Sequence, residues 1–157
     1  MSPTVLVAVI SIGYSGLWAR RDDFRYTFPV GGYLTLGRTF GASAAGWEAM
    51  CAVHHHFETD ETYSWRTVTL LGGPRFDLRR SGRHTLYAHG LIGLAHISTT
   101  YGDPYYPVPT FALGTGVDLT RAPGRVVRLG IDYRRVLLGE VPNEGLSLSL
   151  GLASGGR

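Results

Sequence analysis

Three consecutive histidines, His54-His55-His56, with Glu58 and Asp60 close behind, are the nearest thing in this sequence to a metal-ligand set. Adjacent residues of an extended chain point to opposite faces, so the three cannot converge without an acid folding back from the next segment. No motif with metal-ligand spacing accompanies them, and Cys51 is the only cysteine. The tract is therefore expected to be a loop feature, with no metal site and no disulfide framework. Serine, histidine and aspartate are all present, yet no Gly-x-Ser-x-Gly elbow places a nucleophile, so no catalytic residue and no cofactor is expected. Gly114-x-Gly116 precedes no helical segment and is not a nucleotide loop. The arginines are not interleaved with aromatics on one face, which argues against nucleic acid as a partner.

What remains is a set of charged residues spaced among apolar ones: Glu48, Arg75, Asp77, Asp118, Arg128, Asp132 and Arg134. Each falls on the polar side of a segment with period-two alternation. Leu146, Leu148, Leu150 and Leu152 share one face while Ser147, Ser149 and Gly151 share the other. Val127, Leu129, Ile131 and Tyr133 stand opposite Arg128, Gly130, Asp132 and Arg134 in the same way. Eight such segments are separated by glycine, proline and charge clusters, and none keeps a helical period. The connections alternate in length. Long ones are expected near 20–29, 55–64, 98–109 and 138–144, and short ones near 41–45, 79–84 and 120–125. Alternate turns of an up-and-down barrel lie at opposite ends, so one end carries long loops and the other tight turns, the layout of outer-membrane barrels. The expected fold is an all-β, eight-stranded antiparallel up-and-down transmembrane barrel, one domain spanning 1–157.

Composition bears on which face meets water. Of the 157 residues only 17% are charged, against about a quarter in ordinary soluble domains, and 22 are glycine. The 44% hydrophobic content excludes a disordered chain, and no apolar run is long enough for a membrane-spanning helix. The polar faces hold glycine, serine, threonine and a nearly balanced set of charges, as a crowded, internally paired interior requires. Tyr14, Trp18, Trp47, Trp65, Phe76, Phe111 and Tyr133 lie on apolar faces or near strand ends, where interfacial girdles form. These features place the apolar faces outward, in lipid. The opening segment to Ile12 lacks a basic flank and reads as a strand; an exported form of the chain would already have lost its signal.

Four stretches carry a resemblance. Gly72-Gly73-Pro74-Arg75-Phe76-Asp77-Leu78, Leu86-Tyr87-Ala88-His89-Gly90-Leu91-Ile92-Gly93, Phe111-Ala112-Leu113-Gly114-Thr115-Gly116-Val117-Asp118 and Leu129-Gly130-Ile131-Asp132-Tyr133 are similar, in order and spacing, to the strand signatures of the small OmpA/OmpX-like outer-membrane barrels. The resemblance implies an eight-stranded barrel in the outer membrane of a Gram-negative envelope. Family members commonly end on an aromatic residue, whereas this chain runs Leu150-Gly151-Leu152-Ala153-Ser154-Gly155-Gly156-Arg157.

Sorted by barrel end, the charges separate. The long connections hold Asp22, Asp23, Glu58, Asp60, Glu61, Asp103, Glu140 and Glu144 against Arg20, Arg21 and Arg25, while Arg79, Arg80, Arg83, Arg121, Arg125 and Arg157 crowd the other end. Arg66 and Arg135 fall on apolar faces near the long-loop end, where a guanidinium can reach the interface and contact lipid phosphates, those of lipopolysaccharide among them. The Tyr101–Pro109 segment, rich in tyrosine and proline, suits contact with a protein partner. An eight-stranded interior is just wide enough for side chains, so a closed barrel with a structural or surface-interaction role is expected. The competing readings are a soluble lipocalin-like barrel holding a small apolar ligand, and a small channel or lipid-modifying barrel.

Overall fold

The computed structural model describes residues 6–21, 24–28, 30–40, 44–57, 64–99, 107–138 and 141–155. Every element among them is a strand: β1 (Leu6–Arg21), β2 (Phe24–Phe28), β3 (Val30–Phe40), β4 (Ala45–Phe57), β5 (Ser64–Ser81), β6 (His84–Thr99), β7 (Val108–Ala122), β8 (Arg125–Leu138) and β9 (Val141–Gly155). Consecutive strands from β3 to β9 pair antiparallel, β1 pairs with β3, and β1 also pairs with β9, which closes the sheet on itself. β2 and β3 follow one another along the same edge of β1, from Arg21↔Phe24 down to Leu6↔Phe40. Nine segments therefore fill eight positions around a closed barrel.

The first long connection is shorter than its sequence suggests. Residues 24–28 were expected in a loop, but they extend the wall, with Tyr26, Thr27 and Phe28 in register with Ala19, Trp18 and Leu17. Aromatic and β-branched residues favour a pleated wall, and Pro29, which has no N–H to give to a ladder, separates this piece from β3. The other ends shift in the same direction: β4 runs to Phe57, and β9 already includes Glu144. At the opposite end the β5–β6 and β7–β8 turns are tight, with Gly82 and Gly124 at φ of 55° and 72°, a conformation that side-chain-bearing residues adopt at a cost. Proline inside β5 leaves its expected mark: no β6 partner is in register with Gly73 or Pro74, between the pairs Gly72↔Ile92 and Arg75↔His89.

Alternation sets the two faces of the wall. Among the described residues, twenty-three large hydrophobic side chains are exposed, Ile92 (73%), Leu152 (67%) and Ile12 (65%) among them, while Ser11, Ser15, Thr35, Glu48, Thr69, Arg75, Arg128, Asp132, Arg134 and Ser147 are buried. This is the inverse of a water-soluble barrel. Full exposure of such a side chain forgoes about 1.5–3 kcal/mol, so at 37–73% exposure each forgoes about 1 kcal/mol in water. Twenty-three of them would outweigh the whole 5–15 kcal/mol stability of a typical domain. The outer wall therefore needs an apolar medium. Trp18, Tyr14 and Tyr133 towards the long-loop end, and Trp47, Phe76 and Phe40 towards the tight turns, are exposed on this wall and bracket its aliphatic band as two aromatic girdles. The folded protein is expected to be monodisperse in detergent and to aggregate when detergent is removed; size-exclusion chromatography showing a stable monomer in plain buffer would contradict the outward assignment.

Candidate functional site

The chemistry-bearing side chains lie in the lumen, and the tight-turn half contains most of them. Glu48 on β4 accepts from Arg75 Nη1 at 3.0 Å and lies 3.5 Å from Arg128 Nη1. Asp118 on β7 receives Arg75 Nη2 at 2.6 Å and a two-pronged contact from Arg128, Nε at 2.8 Å and Nη2 at 3.0 Å. Asp77 takes Arg75 Nε at 3.4 Å and Arg80 at 2.8 Å, tying the cluster to the exposed turn. His89 joins the two carboxylate groups, with Nε2 2.5 Å from Asp132 Oδ1 and Nδ1 3.6 Å from Glu48 Oε1. Two guanidinium groups thus share two carboxylates across the barrel, with two further acids at the margin. Planar forks are suited to this, since each guanidinium offers several donors in one plane.

Several members were not singled out from the sequence. Tyr87 lies beneath both arginines, with Arg75 Cζ 3.8 Å and Arg128 Cζ 5.2 Å from its ring centre. Arg128 Nη1 also donates to Ser11 and Thr35 at 3.1 Å each, and these two hydroxyls contact one another. The available signal was parity: Tyr87 shares the inward side of β6 with His89. Glycine supplies the room. A Cβ at Gly116 would meet the Tyr87 hydroxyl, and one at Gly114 would meet Asp132 Oδ1 and His89 Nε2, so these side chains lie flat against a wall with nothing projecting from it.

Arg134 sits apart from this cluster, although the alternation put it on the same polar face. It is six residues further along β8 than Arg128, about 20 Å of extended chain, and so belongs to a different level of the lumen. Its Nη1 reaches Thr69 at 3.4 Å, and at the same level His54 Nε2 meets Ser15 Oγ at 2.8 Å. An apolar layer of Met50, Leu71, Leu91 and Ala112 separates the two polar levels. A second layer of Ala95, Ile97 and Val136, with Val108 against it, lies above towards the long loops. The histidine tract divides as extended backbone requires: His54 is buried in the lumen, whereas His55 belongs to the opposite face.

No family model and no curated protein sequence matches the chain. Solved structures do. The Neisserial surface protein A is similar over 95% of this chain and 96% of its own, at 11% identity and a TM-score of 0.74. The attachment invasion locus protein Ail of Yersinia pestis covers 94% of this chain and 97% of its own, at 17% identity and a TM-score of 0.61. The outer membrane protein OprG of Pseudomonas aeruginosa matches 96% of each chain, at 11% identity and a TM-score of 0.60. The fold is that of the small outer-membrane β-barrels.

In such a barrel the outer wall near the long loops meets the membrane interface. Arg66 on β5 is exposed there, directly in register with His55 on β4 and Ser98 on β6. Arg135 on β8 is half-buried and lies 3.9 Å from Glu144 on β9. Phe111 and Tyr133 stack beside it, with ring centres 6.3 Å apart. The acids of the long connections, apart from Glu144, and the segment 100–106 lie outside the described residues, as does the side chain of Trp65.

Proposed function

We propose that the protein is a closed outer-membrane barrel with a structural or surface-interaction role and no catalytic activity. The observation that carries this reading is the filled lumen. Glu48, Arg75, Asp118 and Arg128 meet at 2.6–3.5 Å across its tight-turn half, and the Met50, Leu71, Leu91 and Ala112 layer closes the level above. A lumen crossed in this way offers no path through the barrel, so a surface role falls to the outer wall and the loops. On this reading the wall contacts lipid, and Arg66 and Arg135 reach lipid phosphates, those of lipopolysaccharide included. Arg135 does so in competition with Glu144, so Arg66 is the stronger contact.

The long connections are the surface for a partner protein. With the adjoining strand tips, this end carries eight carboxylates against three arginines, which suits a basic or cation-bridged partner. Ail has been solved with a heparin analogue, sucrose octasulfate; a polyanion of that kind is a poor match for this acid-rich end. The closed-barrel reading is tested in planar lipid bilayers. The purified protein is expected to give no stepwise conductance at physiological salt, and steady unitary channels from the monomer would overturn it. A lumen opened by Arg75→Ala together with Arg128→Ala serves as the positive control.

A further inference from the structure

We infer that the upper polar level of the lumen is a binding site for a small monovalent inorganic anion, held by Arg134. The guanidinium is buried, with 3% of the residue exposed, and no carboxylate lies within 4.0 Å of it among the described residues. Among the described residues its one hydrogen bond is the long contact to Thr69 Oγ1, and its Nε has no partner. Asp132, two positions along the same face of β8, is held at 2.5 Å by His89 and belongs to the level below. A lone buried cation costs several kcal/mol unless a counter-charge accompanies it, and Arg75 and Arg128, the interior arginines of the tight-turn half, each have one.

The surroundings fit a small guest better than a missing side chain. Arg134 is in register with Ala112 on β7 and Gly145 on β9, and Thr69 with Ala52 on β4 and Ala95 on β6. Arg134 and Thr69 are thus flanked on their neighbouring strands by alanine and glycine alone, and Ser15 reaches this level through its contact with His54. His54 projects into the same level and is fully buried; its Nε2 is engaged by Ser15, and its Nδ1 has no partner. Arg134 Nε and His54 Nδ1 are thus two buried nitrogens without a partner among the described residues, between the Met50, Leu71 and Leu91 side chains on one side and Ile97 and Val136 on the other. Water alone could satisfy the hydrogen bonds but would leave the charge unneutralised. A halide-sized anion satisfies both requirements: it accepts from Arg134 and from the Thr69 hydroxyl.

Bromide is the probe. Crystals of the detergent-solubilised protein grown in bromide are expected to show anomalous density at hydrogen-bonding distance from the Arg134 guanidinium. Bromide found only on the outer surface, or not at all, overturns the proposal and leaves water as the occupant. In solution, unfolding is followed while chloride replaces gluconate at fixed ionic strength. The folded-to-unfolded ratio should rise in proportion to chloride above its dissociation constant, by about a hundredfold at chloride a hundred times that constant. Arg134→Met should abolish the dependence, while Arg80→Met, at the exposed turn, should keep it. Equal unfolding in the two salts overturns the proposal, and should Arg134→Met fail to fold, the bromide map of the unaltered protein decides.

Discussion

Arg128→Leu is expected to destabilise the barrel by about 3–5 kcal/mol, because it leaves buried carboxylates without their partner. Arg128 makes a two-pronged contact with Asp118, donates to Ser11 and Thr35, and lies 3.5 Å from Glu48. Leucine fills a similar length of lumen but supplies no charge, so Asp118 retains only Arg75, and Glu48 faces one guanidinium where it had two. Urea unfolding from micelles or vesicles, read by the heat-modifiable shift in gel migration, measures the loss. Arg128→Lys keeps the charge without the planar fork and should fall between the two. Arg125→Leu, on the exposed end of the same strand, should stay within about 0.5 kcal/mol of the unaltered protein. An Arg128→Leu barrel that unfolds at the same urea concentration as the unaltered one would show that the cluster contributes nothing to the fold.

Gly114→Ala should cost several kcal/mol for the addition of one methyl group. The new Cβ would fall on Asp132 Oδ1 and His89 Nε2, the two atoms that meet at 2.5 Å. Neither can retreat: His89 is wedged between Glu48 and the Tyr87 ring, whose centre is 5.7 Å from its own, and both His89 and Asp132 are buried. Overpacking costs about 1–3 kcal/mol and loss of a charge-assisted hydrogen bond about 1.5–3 kcal/mol more. Gly90→Ala is the internal control, since its Cβ would meet only Leu113 Cδ2 at an ordinary 3.5 Å. Equal unfolding midpoints for the two variants would mean that the His89–Asp132 contact adjusts freely.

These two positions also show what could be read from the chain. The parity of Glu48, Arg75, Asp118 and Arg128 against their leucine and valine neighbours placed them on the polar side, and the shortage of charge elsewhere turned that side inward. Their pairing was not legible. Arg75 and Glu48 are 27 positions apart, and Arg128 and Ser11 117, so the contacts depend on strand register around the whole circumference. Register also separates Arg134 from Arg128, a difference of level that alternation cannot express. The 24–28 segment was missed because the Arg20-Arg21-Asp22-Asp23 charges read as loop, whereas the pairing of Trp18 with Thr27 carries the wall past them. Parity puts Tyr87 on the polar side with His89, but its position beneath the two arginines depends on register and is not legible in the chain.

The junction of β1 with β9 has a consequence for how the molecule forms. Its partners, from Val9↔Gly155 to Arg20↔Glu144, are more than 120 residues apart in the chain, so the last strand to be made must find the first. Until they meet, the sheet has two free edges, each a row of unpaired backbone donors and acceptors. In hydrocarbon every such group costs several kcal/mol, so a partly closed sheet cannot rest there. Insertion and closure are therefore a single event, and a nascent chain lacking β9 has no stable stopping point between water and membrane. Contacts this distant in sequence also close slowly, which lengthens the interval during which open edges can pair with another chain. The same seam that leaves the finished barrel without an edge makes its assembly the stage most exposed to aggregation.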